Sequence, residues 1–170
     1  MDFEKIVNYR HSVRSFLNKE IEPEKIEKIL EIVNLCPSAG NLQAFKIFLV
    51  KKLEIKKLLT QAALNQDFIQ EAPMVMVFCA NQEESAKRYE KRGRELYAIQ
   101  DATIAASYAQ LAAADLGIGT VWVGAFDPEE VKSILKISDL LPIAIIPLGY
   151  SSETSFSRER KELKDLVAEE

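Results

Sequence analysis

The stretch Pro73-Met74-Val75-Met76-Val77-Phe78-Cys79-Ala80 carries no polar side chain. A strand with one wet face alternates polar and apolar residues, so a strand without alternation is covered on both faces. The chain must therefore supply apolar cover on two sides. It has the material, because 48% of its 170 residues are hydrophobic, enough for one domain with a full core.

Asp101 to Leu116 is the most apolar of the helical stretches. Ile104, Ala105, Tyr108, Ala109, Leu111, Ala112 and Ala113 surround it. A helix without a polar side is buried, and small Ala side chains let neighbours approach, which suits a central helix or a dimer seam. Gly117 is placed to cap it. Asp2 predicts a short capped helix with Phe3, Ile6 and Val7 on one face. Pro23 opens a second, with Ile26, Ile29, Leu30 and Val33 at helical spacing, and Pro37 closes it near Cys36. Leu53 to Leu64 predicts a third, with Leu58, Leu59, Ala62 and Ala63 as its stripe. Asp127 and Glu130 frame a capping box ahead of Val131, Ile134 and Leu135. Phe45–Val50, Gly119–Phe126 and Pro142–Leu148 predict strands. Strand and helix alternate after Phe45, which by pattern alone predicts a parallel α/β sheet. Leu163, Leu166 and Val167 argue that the polar tail docks, with a partner subunit as one surface.

Function is written in the loops. In Arg10-His11-Ser12-Val13-Arg14-Ser15-Phe16, the residues Arg10, Ser12 and Arg14 alternate. Extended, they share one side, with Val13 on the other. Guanidinium forks and a hydroxyl suit a phosphorylated planar ligand; a solvated loop explains the same residues, so both readings stand. Pro37-Ser38-Ala39-Gly40-Asn41-Leu42-Gln43 is a loop whose amides suit a ring edge or polyol, or simply a connection rich in turn formers. The charged run Glu83 to Leu96 reads as a solvated helix face or flexible lid, and contact of Lys87-Arg88 and Lys91-Arg92-Gly93-Arg94 with a substrate phosphate is the other reading of it. The net charge of −4 gives no general pull toward nucleic acid or an anionic membrane, so an anion site must be a local basic cluster. No apolar run reaches spanning length, and Asp2 and Glu4 differ from a signal peptide; a cytoplasmic protein is expected. Cys36 and Cys79 stand apart and His11 is the single histidine, so neither a disulfide framework nor a zinc site is expected.

Taken together the loops carry a resemblance. The two loops above, the stretch Gly117-Ile118-Gly119-Thr120-Val121-Trp122-Val123-Gly124-Ala125-Phe126 and the closing Arg158-Glu159-Arg160-Lys161 occur in the order of four signatures. On them the chain resembles the nitroreductase family of FMN-dependent oxidoreductases, over nearly its whole length. The resemblance implies one FMN-binding domain over residues 1–170, with an α+β fold: a mixed, mostly antiparallel sheet surrounded by helices, in an intertwined homodimer. This replaces the parallel sheet, since periodicity does not report strand direction. It implies FMN at the dimer interface. Arg10, His11 and Ser12 would belong to the phosphate and ribityl site, and Arg14 to the pyrimidine edge. Ser38, Ala39, Gly40, Asn41 and Gln43 would approach the same flavin from the other chain. Asn65 would read the pyrimidine edge. Val123 and Gly124 would line the isoalloxazine with one backbone N–H aimed at N5, and Arg158 and Arg160 would complete the phosphate site.

No residue is then expected to act as a catalytic base, since the chemistry is the flavin's. NADH or NADPH would supply hydride, and a nitroaromatic, quinone or similar acceptor would take electrons in a ping-pong cycle. Two alternatives stand beside this. One is a specialised enzyme of the same fold, a reductive dehalogenase or a flavin-fragmenting enzyme. The other is a non-catalytic flavin-binding module, with Trp122 as the residue that would block the ring face. The chain is shorter than larger family members and lacks their helical insertion over the flavin, leaving 83–96 to serve instead.

Overall fold

The computed structural model describes residues 2–153 and 159–169. Strand β2 (Met74–Ala80) is buried at every position, as its composition demands. Its side chains feed two cores in alternation. Met74, Met76 and Phe78 face one side, together with Ile26, Ile29 and Val33 of α2 (Pro23–Asn34) and the alanines of α6 (Ala98–Asp115). Val75, Val77 and Cys79 face the other. There they meet Leu59 of α3 (Leu53–Ala62), Ile69 of α4 (Phe68–Glu71) and Val131 of α7 (Pro128–Leu135). Burying such aliphatic side chains stabilises by about 1.5–3 kcal/mol each.

The sheet runs β1 (Phe45–Val50), β2, β4 (Leu141–Gly149), β3 (Gly119–Thr120), and each neighbouring pair is antiparallel. This corrects the parallel reading from pattern. Burial reports how many faces are covered, not strand direction. The number of connecting helices does not set it either: two helices, α3 and α4, lie between β1 and β2 and one, α7, between β3 and β4, and both pairs are antiparallel. The α+β architecture implied by the resemblance holds. A lone parallel bridge, Ser12 to Thr120, makes the sheet mixed.

Three local expectations need correcting. In α3 the buried residues include Lys56 and Thr60, while Leu58 is 44% exposed. The stripe is rotated toward α4: the Lys56 stem packs inside and its Nζ donates to the Ala72 carbonyl. β3 is shorter than the predicted Gly119–Phe126, but the chain stays on the sheet, with Val123 exchanging both backbone hydrogen bonds with Ile145. Helix α1 (Phe3–Tyr9) buries none of its residues, and the Asp2 side chain makes no capping bond. Apart from these three, the tail residues Leu163, Leu166 and Val167 are exposed on the single chain. Among the described residues, no helix is long and apolar enough to cross a membrane.

Candidate functional site

Residues 12–17 run extended along the free side of β3 and past the end of β4. Val13 N–H donates to Thr120 O at 3.0 Å, Leu17 N–H to Tyr150 O at 2.8 Å, and Ser152 N–H to Ser15 O at 3.0 Å. Val13 is 1% exposed and sits on Gly119, where an added Cβ would stand 2.7 Å from Val13 Cγ2. Only glycine lets the segment lie this close. With Val13 turned inward, the alternate positions Ser12 and Arg14 turn outward, as their spacing predicts. Arg14 is exposed, its N–H donates to Glu153 Oε1 at 2.9 Å, and its guanidinium lies 6.0 Å from the Phe68 ring. Arg10 caps the C-terminus of α1 and is half-buried. His11 donates from Nδ1 to Tyr9 O at 3.1 Å, which leaves its buried Nε2 without a described partner.

A second element reaches the same corner. Leu64 and Asn65 both take left-handed φ, 57° and 58°, which Asn tolerates. Asn65 N–H donates to Thr60 O at 2.9 Å, leaving its side chain exposed. Gln66 donates to Ala125 O at 3.2 Å, and Asp127 N–H donates to Ala62 O at 2.9 Å. These bonds tie the Asn65 turn to the loop after Val123. Gly124 is exposed there, and the Trp122 indole stands beside it while packing partly into the first core. Val123 is 2% exposed and its N–H donates to Ile145, so of this pair the N–H of Gly124 is the one without a described backbone partner.

The loop at Ser38–Gln43 lies elsewhere. Asp101, 2% exposed, accepts the Ala39 N–H at 2.9 Å and the Ala44 N–H at 3.4 Å. Ser38 Oγ accepts the Gln43 N–H at 3.0 Å, and Gln43 Nε2 donates to the Asn34 side chain at 3.0 Å. Ser38 and Gln43 thus spend part of their polar capacity bracing the loop. Gly40 and Asn41 take left-handed φ, 56° and 59°, and both are exposed. This loop enters the sheet at Phe45, level with Ala80 and Leu141, whereas Ser12 meets it at Thr120, level with Leu148 and Met74. The two groups sit at opposite corners, separated by the length of β2 and the width of the sheet, roughly 20 Å in each direction. Arg160 is exposed, and no described bond joins it to Arg10 or Ser12; Arg158 lies outside the described residues. Sequence reading missed Asp101, Gln66 and Phe68. An acid inside an alanine-rich apolar helix was the one available signal for the first. Neither thiol offers a nucleophile: both are buried, and burial pushes Cys79 up to about 12.

Helices on both faces of the sheet, with the extended segment 12–17 laid along its open edge, define an α+β protein. The model of the nitroreductase family matches residues 7–66 and 57–150. The chain belongs to that family. It is 29% identical to a protein of Thermus thermophilus named NADH dehydrogenase, covering 93% of this chain and 91% of that one. It is also 29% identical to a Bacillus subtilis protein named FMN reductase [NAD(P)H], over 88% of this chain and 66% of the relative. The crystal structure of a nitroreductase family protein from Streptococcus pneumoniae superposes with a TM-score of 0.91 at 22% identity. It covers 99% of this chain and all of that one, which shows the shared fold.

Proposed function

We propose that this chain is an NAD(P)H-dependent FMN oxidoreductase that works as a homodimer, with each flavin held between two chains. The observation that carries this reading is the corner formed by Arg10, Ser12, Arg14, Asn65 and Gly124. Within the described residues, neither Arg10 nor Arg14 pairs with a carboxylate, so their donors are available to a phosphate and a ring edge. The buried, unpartnered His11 Nε2 in the same segment fits a polar group supplied by a ligand. Arg10 and Ser12 would hold the FMN phosphate and ribityl chain. Arg14 and Asn65 would face the pyrimidine edge, where a cation favours the reduced cofactor. Gly124 would offer its N–H at the ring and leave the face above it open. His11 would orient the ribityl end, and Arg158 and Arg160 would close the phosphate site from the tail.

The distant loop at Ser38, Ala39, Gly40, Asn41 and Gln43 supports the dimer. It is too far from the basic corner of its own chain to share a flavin with it, and it suits the flavin of a second copy. The exposed apolar side chains Phe3, Val7, Leu163, Leu166 and Val167 are natural contacts for that copy. Bound FMN supplies the redox chemistry. The residues of the chain bind it, orient it and set its charge environment, and none is required as a base. The acceptor class proposed is a nitroaromatic, quinone or related planar compound that takes its turn at the face used by the nicotinamide. We read residues 1–170 as one domain. Two buried free thiols suit the reducing cytoplasm.

The test is the absorbance spectrum of the purified protein reconstituted with FMN, recorded without oxygen before and after NADH or NADPH. A bound flavin spectrum that bleaches supports the reading. A flavin that stays oxidised with both donors overturns it in favour of a binding module, and failure to take up FMN overturns it altogether.

A further inference from the structure

The segment after β2 is built unlike the rest of the chain. Helix α5 (Gln82–Arg92) passes directly into a π-helical turn, Gly93–Tyr97. Inside α5, Glu90 adopts φ 48° and ψ −132°, a region that side chains rarely occupy and that clusters at ligand clamps. Internal contacts brace the two halves of the segment against each other. Gln82 donates to Arg94 O at 2.9 Å, and Gly93 lies against Ser85 so closely that a Cβ would stand 2.4 Å from its carbonyl oxygen.

Its charges are unevenly spent. Lys87 pairs with Glu84, Lys91 with Glu95 and Arg94 with Glu83. Among the described residues, Arg88 and Arg92 pair with no carboxylate, the exposed Glu90 included. Neutral partners hold them instead. Arg88 donates to Gly40 O at 3.3 Å and stands 5.4 Å from the Tyr89 ring. Arg92 donates to the Tyr97 hydroxyl at 2.9 Å and stands 5.3 Å from that ring. The two rings meet edge to face, 5.1 Å apart. Two guanidiniums are thus mounted on one aromatic pair. Each uses one N–H, and the other in-plane donors are unspent.

The mount borders a cavity of about 520 Å³ whose walls include Ser38, Ala39, Tyr97, Thr103 and Ile104. Tyr97 carries Arg92, and Gly40, next to the wall residue Ala39, carries Arg88. The volume suits a ligand the size of a substituted aromatic or a nicotinamide.

We infer that Arg88 and Arg92 are specificity residues that select, for this cavity, a ligand with a carboxylate or phosphate beside a planar ring. The inference deepens the flavin reading and rests on it, because the Ser38–Asn41 loop that forms the cavity wall is the one assigned to the cofactor. The anion could be a carboxylate on the acceptor or the 2′-phosphate of NADPH, and the two are separable.

The experiment compares kcat/KM for 4-nitrobenzoate against 4-nitrobenzamide, and for NADPH against NADH, in FMN-loaded wild type, the double variant Arg88→Gln/Arg92→Gln and the double variant Arg88→Lys/Arg92→Lys. The wild type should favour the charged member of at least one pair by about tenfold, with the preference declining as salt is added. The Gln variant should lose that preference and the Lys variant keep part of it. Loss in the nitrobenzoate pair assigns the anion to the acceptor; loss in the nicotinamide pair assigns it to the donor. No charged-ligand preference in the wild type, or the same preference in the Gln variant, overturns the inference. Calorimetric titration of 4-nitrobenzoate and of NADP+ into the same proteins separates it from the flavin reading. Binding of either that the Gln variant lacks supports the arginines even where neither nicotinamide bleaches a flavin, and equal or absent binding of both counts against them.

Discussion

The carboxylate of Asp101, buried in α6, accepts the backbone N–H of Ala39 at 2.9 Å. With its second bond to Ala44 it holds both ends of the Ser38–Gln43 loop. A charge-assisted bond is worth about 1.5–3 kcal/mol, so Asp101→Ala should destabilise the fold by at least that much in urea unfolding. Gln100→Ala, exposed one residue earlier, should change little. Equal stability of the two variants would show that the loop does not depend on the acid.

Gly119→Ala should weaken FMN binding without touching the cofactor. The three atoms nearest the new Cβ all belong to Val13, and Val13 is 1% exposed, which leaves it little room to shift. Overpacking of this kind costs about 1–3 kcal/mol and should lift Ser12 and Arg14 off the sheet edge. Adding Val13→Ala should restore most of the affinity, since the two positions share one space. Flavin titration with circular dichroism as the folding control checks it.

Arg10→Ala and Arg14→Ala should differ in kind. Loss of Arg10 should weaken FMN binding by about 1.5–3 kcal/mol. Loss of Arg14 should cost less affinity and lower the flavin reduction potential, because a cation near the pyrimidine edge favours the reduced form. Unchanged affinity in the first variant removes Arg10 from the phosphate site; an unmoved potential in the second removes Arg14 from the ring edge.

Glu22 gives a pH signature away from the site. The Tyr150 hydroxyl donates to it, and Lys25 and Lys19 stand nearby, which holds its carboxyl down at about 2 instead of 4.5. Its folded value lies below its unfolded value, so its contribution is complete above 4.5 and disappears as pH falls toward 2. The stability difference between wild type and Glu22→Gln should be flat above 4.5 and shrink below it. A difference that does not change over that range contradicts the pairing.

Much of this could be read from residues alone. An unbroken apolar run at 74–80 announces cover on both faces, and the two cores supply it. Pro23, Asp127 and Pro128 mark helix starts where helices do start, and alternation at 12–14 correctly turns Val13 in and Arg14 out. Strand direction was hidden because the apolar pattern of a strand reports which faces are covered and is the same whichever way the strand runs. Lys56 was hidden because its inward stem is apolar while its letter is a charge. The spent N–H of Val123 depends on a partner twenty-two residues away, and the separation of Arg88 from its neighbour Lys87 depends on Gly40, forty-eight residues away. No local pattern reports either.

The distance between the Ser12 corner and the Gly40 loop has a genetic reading. In a dimer that builds each site from one corner of each chain, a lesion at Arg10 and a lesion at Asn41 damage different halves. Pairing a chain that carries the first with a chain that carries the second produces one site with both lesions and one with neither. Two inactive proteins, unfolded and refolded together, should then regain activity that neither has alone, whereas a site built within a single chain would never be repaired by mixing.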